Sequence, residues 1–312
     1  MLKELQDNHL SPLDQLFYLN REIYSELDFL KSPIIVVGGQ AVSYWLEYFA
    51  QQFNITDADR ANATSVDVDY CGSKEDFFRL TDKWKVQFNI ASIDEHTPEI
   101  GNSLLKDKDT HQIKEIDGLK FVDIGAWIED RDEEPNQVDL LLLPAGFTEK
   151  DFKNKRLEAH TAYFEFPDDF ELTPHTNLRI LNPVGCIKSR MLNYRQLKRQ
   201  KNPEREIERI KALIVPTSIF LQTQLIEHGY KKTRKFLTLL MKLSKSHLGM
   251  EIRYRHGIDL AAVVSFVVEA QRELFPPRYI SEQFPRWQKG IEKKFERKLR
   301  QYSEMDKRTG RA

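Results

Sequence analysis

Cysteine is scarce in this chain: Cys71 and Cys186 are the two among 312 residues, and neither has a second cysteine at pairing or metal-ligand spacing. That excludes a disulfide scaffold and a thiolate zinc site, and it suits a reducing cytoplasm, the compartment expected here. Long apolar runs are missing as well. The longest candidates, 140–143 and 260–268, fall short of the ~18 residues that a membrane span needs, so no membrane partner is expected. The first seven residues are too polar for a signal peptide. Glycine-rich nucleotide motifs are absent too: no Gly-Lys-Ser/Thr follows the one Gly-Gly pair, and there is no G-x-G-x-x-G. No repeat of 20–50 residues occurs.

What is present can build a core, with 40% hydrophobic and 11% aromatic residues. Charge is unevenly spread. Residues 1–172 hold 35 Asp and Glu against 17 Lys and Arg, whereas 173–312 hold 13 against 30. A basic half of this size points to a polyanionic partner such as RNA, the alternative being mutual neutralisation of the halves. The division predicts two domains, an α/β N-terminal domain over 1–172 and a helical domain over 173–312, with the boundary between Phe170 and Pro183.

Ser11-Pro12-Leu13-Asp14 reads as a helix start, with a serine cap, proline at the first position and an acid in the first turn. Ile34-Ile35-Val36-Val37 is a buried strand, Gly38-Gly39 ends it, and Gln40 opens a helix to Phe53. Residues 54–63 are loop-like, 65–71 alternate as a second strand, and 74–84 are helical. Residues 94–118 read as a charged, irregular excursion, followed by strands at 120–124 and 137–143. Beyond 173, helices are expected at 184–199, 204–214, 218–228, 231–246, 258–274 and 286–303. The fold class is therefore α/β (α+β), a small mixed sheet with flanking helices plus a C-terminal helical domain.

Val66-Asp67-Val68-Asp69-Tyr70 carries the strongest chemical signal. On a strand, Asp67 and Asp69 share a face about 7 Å apart at Cα, and two such carboxylates can converge on one divalent ion. A solvated acidic face is the plainer alternative. Val138-Asp139 opens an apolar strand, where a lone carboxylate is costly to desolvate without a cation or donors. Were that strand beside the first, Asp139 would complete a three-carboxylate site; an edge position facing solvent is the alternative. Gly38 and Gly39 let backbone approach phosphate closely at a helix N-terminus. Downstream, Lys188, Arg195 and Arg199 fall within about 40° on one helical wheel, bordering the stripe Val184, Ile187, Met191 and Tyr194. Arg190 lies nearly opposite Lys188.

The order strand, Gly-Gly-x-Ala, helix, hydrophobic-Asp-hydrophobic-Asp, then a third Asp on a later strand resembles the DNA polymerase β-like nucleotidyltransferases. The chain looks most like their AbiEii-type group, which includes toxins of toxin–antitoxin systems, and the pair Lys188 and Arg195 matches that group's lysine followed seven residues on by an arginine. The resemblance spans roughly residues 32–215. It implies a nucleotidyltransferase fold and Asp67, Asp69 and Asp139 as catalytic ligands of Mg²⁺ or Mn²⁺. It further implies Gly38, Gly39, Gln40, Ser65, Lys188 and Arg195 at the nucleotide, and transfer of NMP from an NTP to a hydroxyl. RNA, including a tRNA 3′ end, is the favoured acceptor, in a toxin-like role with a protein antitoxin as a partner. A protein or small-molecule acceptor, or a catalytically silent nucleotide-binding module, are the alternatives. The group's acidic residue after the lysine helix has Glu204 or Glu206 as candidates. His96, His175, His247 and His256 read as structural.

Overall fold

The computed structural model describes residues 8–91, 99–129, 131–153, 156–197 and 203–309. His96 and Arg199 lie outside them. The chain divides into two compact units at Ser189/Arg190, not at 172/173.

The first unit is built on a seven-stranded mixed sheet in the order β3-β4-β7-β2-β1-β9-β8. The strands are β1 Ile34–Val36, β2 Val68–Cys71, β3 Asn89–Ile90, β4 Glu99–Leu104, β7 Gln137–Leu141, β8 Thr161–Tyr163 and β9 Leu178–Leu181; β5 Glu115–Ile116 and β6 Leu119–Lys120 form a separate hairpin. Every residue of β1 is buried, because β1 pairs parallel with β9 on one side and antiparallel with β2 on the other. This explains the unit boundary: β9 pairs directly with β1, so the first unit must extend past 172 and into the helix that follows.

Helices α1 Pro12–Ile23, α2 Gly38–Tyr48, α3 Asp57–Ala63, α4 Lys74–Lys83, α5 Ile124–Ile128 and α6 Leu157–His160 accompany the sheet. Ser11 caps α1 as its sequence requires, its hydroxyl accepting from the Asp14 N–H. Buried polar groups tie α1 to its neighbours. Tyr70 donates to Asn20 Oδ1 at 2.8 Å and Trp84 Nε1 to the Leu19 carbonyl at 3.0 Å. Asn136 donates to Gln15 Oε1, and Gln15 in turn to the Val122 carbonyl. Each partner satisfies a group that would be costly to bury alone.

Several expected elements differ. Residues 57–63 are helix α3 rather than loop, because Thr56 and Asp59 form a reciprocal capping box. The expected excursion over 94–118 contains β4, a strand paired along β7, and β5 of the hairpin. The strand expected at 120–124 is reduced to the end of β6, since Ile124 already opens α5. Val66 and Asp67 precede β2 in a bend rather than belonging to it.

Helix α7, Pro183–Leu197, contains the division between the units. The second unit continues with α8 Glu204–Ala212, α9 Ile214–Lys245, α10 His247–His256, α11 Leu260–Ala270 and α12 Phe284–Thr309. The break expected between helices at 218–228 and 231–246 falls at Gly229, whose φ of 72° and ψ of 169° are not helical, so α9 is two helices joined at a kink. Helix α10 was not expected; Gly257 ends it in the left-handed region, the conformation glycine adopts without a Cβ clash. Met250, Ala261 and Ile291 form a core cluster with Trp287 and Phe295 packed against it.

Candidate active site

The turn after β1 is fixed by its neighbour. Val37 N–H donates to the Asp69 carbonyl at 2.9 Å, and the chain then swings into α2 at Gly38, whose φ is +67°. A Cβ on Gly38 would stand 1.6 Å from Asp69 Oδ2, so the Asp69 carboxylate occupies the space that glycine leaves open. Gly38 and Gly39 are the first residues of α2, where backbone N–H groups have no partner within the helix. Gln40 is 1% exposed and donates through Nε2 to the carbonyls of Ser65 and Pro12. The Ser65 residue is buried too. Gln40 thus anchors the segment leading to Asp67, and its Oε1 is buried without a hydrogen-bond partner among the described residues.

β2 and β7 run parallel in a register that sets Asp69 directly beside Asp139. Partners opposite one another in a sheet project to the same face, so the two carboxylates share one. The row continues outward: Asn102 of β4 is the partner of Asp139, and Asn89 of β3 is the partner of Asn102. Four polar side chains therefore cross one face as Asn89, Asn102, Asp139 and Asp69. The two asparagines were missed in the sequence because their strands lie in or beside a stretch dominated by charge.

Asp139 is half-buried and accepts from Gln137 Nε2. Burial raises its pKa, opposed by the Gln137 hydrogen bond. Asp67 is exposed, in the bend before β2, so strand alternation does not place it beside Asp69. Among the described residues no group of three or more His, Cys, Asp and Glu is arranged to hold a metal ion. Of the three expected carboxylates, register brings two together.

Lys188 sits in a cluster of its own. Its Nζ lies 3.2 Å from Asp151 Oδ2 and 4.0 Å from the centre of the Phe147 ring. His160 Nε2 approaches Asp151 Oδ1 at 3.4 Å and its ring meets Phe147 edge-on. Burial lowers the Lys188 pKa, with Asp151 opposing. Burial and then the Lys188 charge push His160 down to about 4. Burial pushes Asp151 upward, but the Thr148 N–H bond and Lys188 outweigh it and hold the carboxyl below its usual range. Asp151 was missed; its signal was the capping box Thr148-x-x-Asp151.

In the second unit, Arg195 is exposed near the end of α7. Arg190 is buried and pairs with Glu206 at 3.2 Å, and Glu206 also takes Arg209 at 3.0 Å. Glu206, one of the two acids considered for a site role, is thus spent between two buried guanidiniums. Tyr194 Oη and His256 Nε2 are hydrogen-bonded at 3.0 Å, and His175 Nε2 lies 3.1 Å from Asp28 Oδ1. A cavity of about 230 Å³ opens beside the turn, lined by residues including Gln40, Ser43 and Arg60 but by neither Asp69 nor Asp139. Compared with protein-family models, with curated proteins and with solved structures, the chain matches none.

Proposed function

We propose that the chain is a metal-dependent nucleotidyltransferase of the polymerase β-like type that moves NMP from an NTP to a hydroxyl of RNA. The observation that carries this reading is the register pairing of Asp69 and Asp139, with the Asp69 carboxylate against the Gly38 turn. Two hard oxygen donors on one face suit Mg²⁺ or Mn²⁺, and the rise in the Asp139 pKa on burial marks a carboxylate that a nearby cation would stabilise as the anion. Asp69 and Asp139 would hold the ion, with Asp67 the third ligand that the family resemblance implies. Such an ion neutralises triphosphate charge and acidifies an acceptor hydroxyl when bound.

The chain's own residues supply the rest. The first N–H groups of α2, beginning at Gly38 and Gly39, offer donors and a favourable dipole end to phosphate oxygens. Gln40 and Ser65 act behind the site, keeping the α2 turn and the approach to Asp67 in register. Lys188, paired with Asp151 and set over Phe147, would exchange its carboxylate partner for phosphate, the role that the family resemblance implies for it. The net excess of basic residues in the second unit supports an RNA acceptor.

A nucleotide-binding module without turnover is the second reading, favoured by Asp67 standing outside β2. Incubation with each α-labelled NTP, Mg²⁺ and total RNA separates the two. Label in RNA that Asp69→Asn and Asp139→Asn each abolish is the expected result. NTP binding without transfer to any macromolecule would select the silent module.

A further inference from the structure

Residues 190–312 carry 28 Lys and Arg against 13 Asp and Glu, and α12 concentrates the excess on one side. Arg286, Lys289, Lys293, Arg297 and Arg300 are all exposed, and at 100° per residue they fall within an arc of about 80°. None of the five is in an ion pair among the described residues. Two of the acids of α12 are held in ion pairs instead: exposed Glu292 with Arg253 and buried Asp306 with Arg255. Glu296 and Glu304 remain exposed on the helix, and Lys307 and Arg308 extend the cationic side.

This side is also concave. Gly290, Lys293, Lys294, Glu296, Arg297 and Arg300 line a groove of about 420 Å³. Gly290 leaves its wall without a side chain, and Lys245 Nζ lies 3.8 Å from where a Cβ would stand. Lys294 donates to the Lys245 carbonyl, which keeps a second ammonium at the groove.

We propose that this groove and stripe are a docking surface for an RNA backbone. Cations recurring once per turn, about 5.4 Å apart along the axis, match a repeating anion better than a single ion or a short acidic patch. A lipid surface is disfavoured by the other side of the helix: Phe284, Ile291 and Tyr302 are buried, so α12 has no free apolar face to enter a bilayer. The choice of RNA rests on the acceptor proposed above, but binding at the groove does not require turnover.

The test uses the full chain carrying Asp69→Asn and Asp139→Asn, so that docking is read without chemistry. Its binding to fluorescein-labelled total tRNA is followed by anisotropy against salt, beside a variant that adds Lys293→Gln, Arg297→Gln and Arg300→Gln. Loss of three phosphate contacts should weaken binding at least tenfold at low salt and flatten the log K against log salt slope by roughly 2 to 3. Circular dichroism should be unchanged, since all three side chains are exposed. An unaltered affinity and slope overturns the proposal, as does binding by the groove to phosphatidylglycerol vesicles and not to tRNA. Normal tRNA binding beside failed NTP transfer by the unsubstituted chain removes the catalytic reading and leaves the docking surface standing. The reverse pattern removes the surface alone.

Discussion

Replacing Gly38 with alanine tests whether the α2 turn and Asp69 are built as one unit. Two costs add. The backbone stands at φ +67°, where a Cβ meets the carbonyl oxygen and costs about 1–2 kcal/mol. The new Cβ would also lie 1.6 Å from Asp69 Oδ2, against an ordinary contact of 3.4 Å or more, so the carboxylate must retreat by roughly 2 Å. Overpacking of this kind costs about 1–3 kcal/mol, giving about 2–5 kcal/mol in all. Gly118 supplies the control: its φ is +82° and nothing lies within 4 Å of its Cβ position, so Gly118→Ala isolates the backbone cost. Urea denaturation should place Gly38→Ala about 2 kcal/mol below Gly118→Ala. In an Asp69→Ala background the Gly38→Ala penalty should shrink by at least about 1 kcal/mol, though not vanish, because Asp69 Cβ remains 2.8 Å from the new atom. Equal penalties at both glycines, with no coupling to Asp69, would refute the reasoning.

Two further outcomes follow from buried charge. Glu206→Gln removes the carboxylate that Arg190 and Arg209 share, and should destabilise the chain by about 3 kcal/mol; in denaturant titration, removing one of the two cations as well, with Arg209→Met, should recover part of that loss. Burial, and after it the Lys188 charge, pushes His160 down to about 4 in the folded chain, below the ordinary imidazole value of about 6.5, so the unfolded chain binds the extra proton between those values. Its contribution is therefore present above pH 6.5 and lost as pH falls towards 4, by about 3 kcal/mol at most. The difference between unfolding free energies at pH 7 and pH 4.5 should shrink in His160→Asn, and an unchanged difference would contradict the assignment.

Much of the candidate site was legible because it depends on local pattern. An apolar β-branched run closed by Gly-Gly and opening into a helix specified β1 and α2 without tertiary information. Asp69 and Asp139 stood out as charges in otherwise apolar strands, and their adjacency needed only the parallel pairing of β2 with β7. Asp67 was read as a strand residue because Val66 and Val68 alternate around it, yet the strand begins only at Val68. The separation of Lys188 from Arg190 was visible in the helical period; they reach Asp151 and Glu206 respectively.

What was not legible depends on distant partners. β8 and β9 are three and four residues long, and Arg179 interrupts the apolar pattern of β9. Pairing with β1 on one side and β8 on the other makes β9 a strand and carries the first unit past the change in charge near 172. β4 reads as a polar tract because Gly101, Asn102 and Ser103 supply little apolar signal; its pairing with β3 and β7 is what defines it. The α12 stripe was obscured by its acids until Glu292 and Asp306 were found turned to Arg253 and Arg255.

The central claim, that Asp69 and Asp139 together form a divalent-cation site, is tested most directly by Mn²⁺ titration followed by electron paramagnetic resonance, with an NTP present and absent. Wild-type protein should bind Mn²⁺ more tightly with NTP. Asp69→Asn and Asp139→Asn should each abolish that binding while keeping wild-type circular dichroism, and the exposed Asp28→Asn should bind as wild type does. Undiminished Mn²⁺ binding by either Asp69→Asn or Asp139→Asn would contradict the account.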